Sequence, residues 1–81
     1  MGQNLLMPLS EAPEGLSVRI VSLPDDGPLS NRLLAMGIRP GAVLEVLRRG
    51  RPGGILHLSC GMLEFMLRRD QASMIAVTRL A

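Results

Sequence analysis

His57 and Cys60 are the side chains best suited to hold a metal ion, and they stand three residues apart in Ile55-Leu56-His57-Leu58-Ser59-Cys60. A segment that alternates in this way is an extended strand, and residues three apart on a strand point to opposite faces. Cys60 then shares a face with Leu56 and Leu58, while His57 shares the other with Ile55 and Ser59. The two cannot grip one ion together. A structural zinc site takes a full set of Cys and His ligands, and the chain has one of each. An oxygen-rich ferrous site needs converging carboxylates, whereas Glu45 and Glu64 stand singly on strands and Asp25-Asp26 falls in a turn. The residues therefore predict a packed thiol, a partly exposed imidazole, and no resident metal or cofactor. An ion held by His57 would need a second chain to complete its shell.

Catalytic patterns are equally thin. Ser10, Ser17, Ser22, Ser30, Ser59 and Ser73 sit in no recognisable nucleophile setting, and His57 has no evident acid to orient it. The glycine-rich stretch Gly50 to Gly54 lacks the lysine and the strand-to-helix context of a phosphate-binding loop. The expectation is a protein that binds and does not catalyse.

The elements that would position these residues follow from local patterning. Ser17 to Leu23 reads as a first strand, with Val18 and Ile20 on one face. Asp25-Asp26-Gly27-Pro28 ends it, since aspartate and glycine favour turns and proline cannot continue a central ladder. Ser30 or Asn31 is suited to cap a helix about two turns long, which carries Leu33, Leu34 and Met36 and stops at Gly37. Pro40-Gly41 fits the central positions of a type II turn, with proline presetting φ and glycine accepting a positive φ. Ala42 to Arg48 and Ile55 to Cys60 then read as strands, followed by a third in which Leu63, Phe65 and Leu67 face inward while Met62, Glu64 and Met66 face out. Arg69 to Ser73 predicts one helical turn, with Asp70 near its N-terminal end, and Ile75 to Thr78 a last strand. Five short strands with one short helix and a helical turn imply a small curled sheet or barrel. Residues 1–8 show no period, so they are expected to be a flexible leader to a single domain over residues 9–81.

Composition narrows the class. At 81 residues there is room for one domain, and nearly half of the residues are apolar, yet Phe65 is the only aromatic. The core must be aliphatic. No apolar run approaches the roughly 18 to 20 residues needed to span a bilayer, and the start of the chain lacks the pattern of a secretory signal. With one cysteine no internal disulfide is available, which suits a reducing, cytoplasmic setting. All nine basic residues are arginines, offset by seven acids to a net charge of +2. That balance gives little pull toward polyanions. Proline-rich peptides and single-stranded RNA are usually held on aromatic platforms, which a chain without Trp or Tyr does not offer.

The run Arg32-Leu33-x-x-Met36-Gly37-Ile38-x-Pro40-Gly41, then Gly53-x-x-Leu56-His57-Leu58, Leu67-Arg68 and Met74-Ile75-x-Val77 resembles the bacterial ferrous iron transport protein A (FeoA) family, over about Leu9 to Arg79. The same domain resembles the C-terminal module of iron-dependent repressors. The resemblance implies an SH3-like barrel, mainly β, and a cytoplasmic accessory protein of ferrous iron uptake. It further implies a partner, the cytosolic GTPase region of the membrane transporter, which would be the chain's link to the inner membrane. The alternatives are a free-standing repressor-type interaction or oligomerisation module, and a small arginine-dependent RNA binder. The partner-binding candidates are Leu34 on the helix, Arg48, Arg49 and Arg51 around a glycine-rich hairpin loop, and Met62 and Met66, whose thioethers are adaptable contact groups. A weak homo-oligomer is also compatible with such a surface.

Overall fold

In the computed structural model, residues 5–51 and 54–80 are described. Six strands form one antiparallel sheet: β1 (Leu6–Pro8), β2 (Ser17–Ser22), β3 (Val43–Arg49), β4 (Ile55–Cys60), β5 (Leu63–Arg68) and β6 (Ala76–Arg79). Their spatial order is β1-β6-β2-β3-β4-β5. Two helices interrupt them, α1 (Gly27–Ala35) and the single turn α2 (Arg69–Ala72), and a short 3-10 turn spans Leu9–Glu11. The 3-10 turn leaves one edge strand, β1, and α2 leaves the other, β5; the two turns pack against each other and so bring the ends of the sheet together.

The inner face is the aliphatic core that the composition requires. Val18, Ile20, Leu44, Val46, Leu56, Leu58, Leu67 and Val77 alternate inward from the strands, Leu29 and Leu33 are supplied by α1, and Phe65 closes the set. This period-two pattern is what fixes register, since a one-residue slip would turn each strand's apolar set to solvent. Pro40-Gly41 forms the expected turn, with Ala42 N–H donating to Arg39 O at 2.9 Å and Gly41 at φ +93°. Arg19 reaches across to Gly41 O at 3.0 Å and ties this turn to β2.

Several elements differ from the sequence reading. The helix begins earlier: Asp26 is its N-cap, accepting from Leu29 N–H at 3.0 Å, with Pro28 in its first turn. Ser30 lies inside that turn, and its hydroxyl donates to Pro24 O. β2 has already ended at Ser22, ahead of Pro24, so the Asp-Gly-Pro sequence serves to start α1, with Pro28 preorganised for a first helical turn. The sheet also begins before the expected boundary at Leu9. Leu6–Pro8 pair with Thr78, Val77 and Ala76 of β6, and Met7 packs on the core. Three residues ending in proline carry no strand period of their own, and here the pairing comes from β6. Residues 1–4 of the expected leader lie outside the described residues.

Candidate docking surface

The outer face of β3, β4 and β5 gathers most of the exposed chemistry. Cross-strand pairing sets Glu45 opposite Ser59 and Ser59 opposite Glu64; beside that row, Arg48 faces His57 and His57 faces Met66. Nearer the glycine-rich loop, Ile55 faces Arg68. Neighbouring strands are roughly 4.8 Å apart, so each row is a compact patch of mixed character. A bulge between Val46 and Arg48 turns Arg48 onto this outer face beside His57.

The bulge also separates two arginines that the sequence reading grouped. Arg49 pairs with inward-facing Leu56. Its guanidinium donates to Ala12 O at 2.7 Å, and its backbone N–H donates to Glu14 Oε2 at 2.8 Å. Arg49 thus joins β3 to the segment before β2 and is largely occupied by that work. Arg51 is exposed in the hairpin loop, where its carbonyl accepts from Gly54 N–H. The neighbouring Pro52 and Gly53, including the Gly53 quoted for the family motif, lie outside the described residues.

His57 does have a carboxylate partner, contrary to the expectation that Glu64 stands alone. Its Nε2–H donates to Glu64 Oε1 at 3.0 Å. The two are diagonal neighbours across the β4–β5 hairpin. The signal was in the sequence: a two-residue turn at Gly61-Met62 fixes Cys60 opposite Leu63, and counting back from that pair brings His57 within reach of Glu64. Gly61, at φ +62°, takes the first central position of this turn, where a positive φ is required. Cys60 lies on the inward side of β4 and packs against the core, so its thiol and the His57 ring are apart as expected. Among the described residues no three His, Cys, Asp or Glu side chains converge as metal ligands would.

The methionines occupy different places. Met66 stands on the outer face of β5, 60% exposed, whereas Met62 is fully exposed at the hairpin tip and belongs to neither strand. Leu63, expected inward, is 38% exposed because its pair with Cys60 lies at the end of the ladder next to the turn. Leu34 faces solvent from α1, opposite buried Leu29 and Leu33, and belongs to no row of the β3–β5 face. One apolar feature was not foreseen, an open groove of about 240 Å³ between Leu6, Met7 and Pro8 on one side and Met74, Ile75 and Ala76 on the other. No helix among the described residues is long and apolar enough to cross a membrane.

Six short antiparallel strands curled by a 3-10 turn and a helical turn, with one helix between β2 and β3, define a small SH3-like β domain. The FeoA domain model matches residues 7–79, and the chain belongs to the FeoA family. FeoA of Chlorobium tepidum is 32% identical, with 93% of this chain and 71% of that one covered at a TM-score of 0.86. FeoA of Stenotrophomonas maltophilia, solved with zinc and described as an SH3 domain protein and a possible ferrous iron transport activating factor, is 27% identical over 88% of each chain at a TM-score of 0.77. A manganese-dependent transcriptional repressor shares the fold at 19% identity and a TM-score of 0.85, over 98% of this chain and 44% of its own. Among curated proteins none matches the chain.

Proposed function

We propose that the chain is a non-enzymatic, cytoplasmic accessory protein of bacterial ferrous iron uptake, which acts by docking on the cytosolic GTPase region of the ferrous iron transporter. The observation that carries this reading is the outer face of β3–β5, on a chain of the FeoA family. There Arg48, His57 and Met66 form one row, Ile55 and Arg68 the next, and Met62 projects at the tip. Apolar side chains flanked by arginines are the make-up of a protein contact, with a few central residues supplying the energy and charges setting orientation. The description of the Stenotrophomonas relative as a possible ferrous iron transport activating factor supports the same role. Leu34 on α1 and Arg51 in the β3–β4 loop are the further contact candidates, both exposed.

The test is an NMR titration of labelled protein with the soluble GTPase domain of the matching transporter, first without nucleotide, then with GDP and with a non-hydrolysable GTP analogue. Saturable shifts confined to the β3–β5 face are expected, and nucleotide dependence would identify a regulator. Absence of shifts with both the soluble domain and the detergent-solubilised transporter would reject docking.

A further inference from the structure

The two edges of the sheet are unequal in what their backbones offer. Because Cys60 and Leu63 flank a two-residue turn, they form a hydrogen-bonded pair, and the alternation of an antiparallel ladder then directs the N–H and C=O of Leu63, Phe65 and Leu67 toward β4. Those of Glu64, Met66 and Arg68 point away from the sheet. Two bonds confirm the phase: Ile55 O, opposite Arg68, accepts from Gly50 N–H on the β3 side, and Arg68 N–H donates to Gln71 Oε1 at 3.0 Å. Arg68 is also the N-cap of α2, so its backbone is already engaged. Among the described residues, what remains open on β5 is the N–H and C=O of Glu64 and of Met66, both exposed residues.

At the other edge, Leu9 N–H bonds Ile75 O, which by the same alternation turns the backbone of Met7 toward β6 and those of Leu6 and Pro8 outward. Pro8 has no N–H. A short strand ending in proline is a blunted edge, while β5 is an open one.

We propose that β5 is a self-pairing edge, along which two copies of this chain join antiparallel about a two-fold axis through Phe65. The open stretch runs from the hairpin turn to the Gln71 cap, and Phe65 is its midpoint. With the axis there, Glu64 faces Met66 of the second copy, and each such pair exchanges both backbone bonds, so every open group on both edges finds a partner. Partly exposed Leu63 comes to face Leu67 of the second copy on the inner side. On the outer side Glu64 has two diagonal neighbours in the second copy, Arg68 and, across the axis, Glu64, so the long Arg68 side chains offset the approach of the two carboxylates and the backbone pairing decides the register. Moving the axis to Glu64 would set two carboxylates face to face, and moving it to Met66 would call on the backbone of Arg68, which is taken. Because β1 is blunted, head-to-tail β5–β1 joining is disfavoured, and the assembly closes as an isologous dimer.

The contact is small, so a weak dimer is expected, with a dissociation constant on the order of 10⁻⁴ M. The experiment is sedimentation of the full chain from about 10 μM to about 1 mM, together with amide hydrogen exchange across that range, for the wild type, Met66→Pro and Met66→Lys. The Met66 N–H points outward, so the proline variant leaves the β4–β5 ladder intact. The lysine variant keeps that N–H and places a charge on the edge. A concentration-dependent dimer, protection of the Glu64 and Met66 amides that grows with it, and at least a tenfold weaker constant in both variants would support the proposal. A wild type that stays monomeric throughout, a dimer that both variants leave unchanged, or protection of these amides only when the transporter's GTPase domain is added would overturn it.

Discussion

The strands β1 and β5 occupy equivalent positions at opposite ends of one sheet, yet they do different jobs. β5 places Phe65 and Leu67 in the core and leaves its outward backbone open; β1 contributes half-buried Met7 and ends in a proline. A side-chain bond, His57 to Glu64, joins β5 to its neighbour, while none joins β1 to β6 among the described residues. The lesson is that an edge strand can be a structural member or a cover. A cover tolerates poor pairing chemistry; a structural member is chosen for what it buries.

The strongest way to break this comparison is to move a proline by one residue. Leu67→Pro should remove a ladder bond, vacate a core position and destabilise the domain by more than about 3 kcal/mol. Met66→Pro should stay within about 1 kcal/mol of the wild type, because its N–H faces solvent. Urea unfolding followed by far-UV circular dichroism reads both, since the chain has no Trp or Tyr to follow by fluorescence. Equal losses in the two variants would show that the ladder phase is wrong. Phe65→Ala should cost about 3 kcal/mol by cavity formation, measured in the same way.

The cover comes next in size. A chain lacking residues 1–8 should keep its fold and lose about 2 kcal/mol, through the β1–β6 bonds and the burial of Met7. Amide exchange in β6 should accelerate more than in β4. A loss as large as that of Phe65→Ala would make β1 a structural member after all.

How much of this was legible depends on the range over which each element is specified. The Pro40-Gly41 turn is written in two adjacent residues, and Ile55 to Cys60 in its own alternation, so both emerge from sequence as they stand in the fold. Asp25 to Pro28 is legible only in part, because aspartate, glycine and proline suit a turn and a first helical turn alike, and here β2 has stopped at Ser22 while Asp26 caps α1. β1 is not legible at all, since Leu6–Pro8 become a strand only through β6, some seventy residues away in the chain. The candidate surface shows the same division. Exposure of Met66 follows from the parity of β5, whereas the separation of Arg48 from Arg49 depends on a bulge, and the place of Met62 depends on which residues form the turn. His57 and Glu64 lie between these cases: each residue alone suggests nothing, but the hairpin register joins them.

That pair gives the smallest expected effect and the finest test of the comparison. Both side chains are partly exposed, 34% and 61%, so solvent and salt screen their attraction, and a pair of this kind contributes between zero and about 1 kcal/mol. A double-mutant cycle of His57→Ala and Glu64→Ala, run at low protein concentration, should give a coupling energy below about 1 kcal/mol that falls further as salt is raised. A coupling well above that would mean that β5 is held at its edge by side chains as much as by Phe65 and Leu67. The division of labour between the two edges would then rest on the outer face as well as the core. A coupling near zero would leave Glu64 free to turn toward other contacts, since nothing but a screened hydrogen bond keeps its carboxylate on β4.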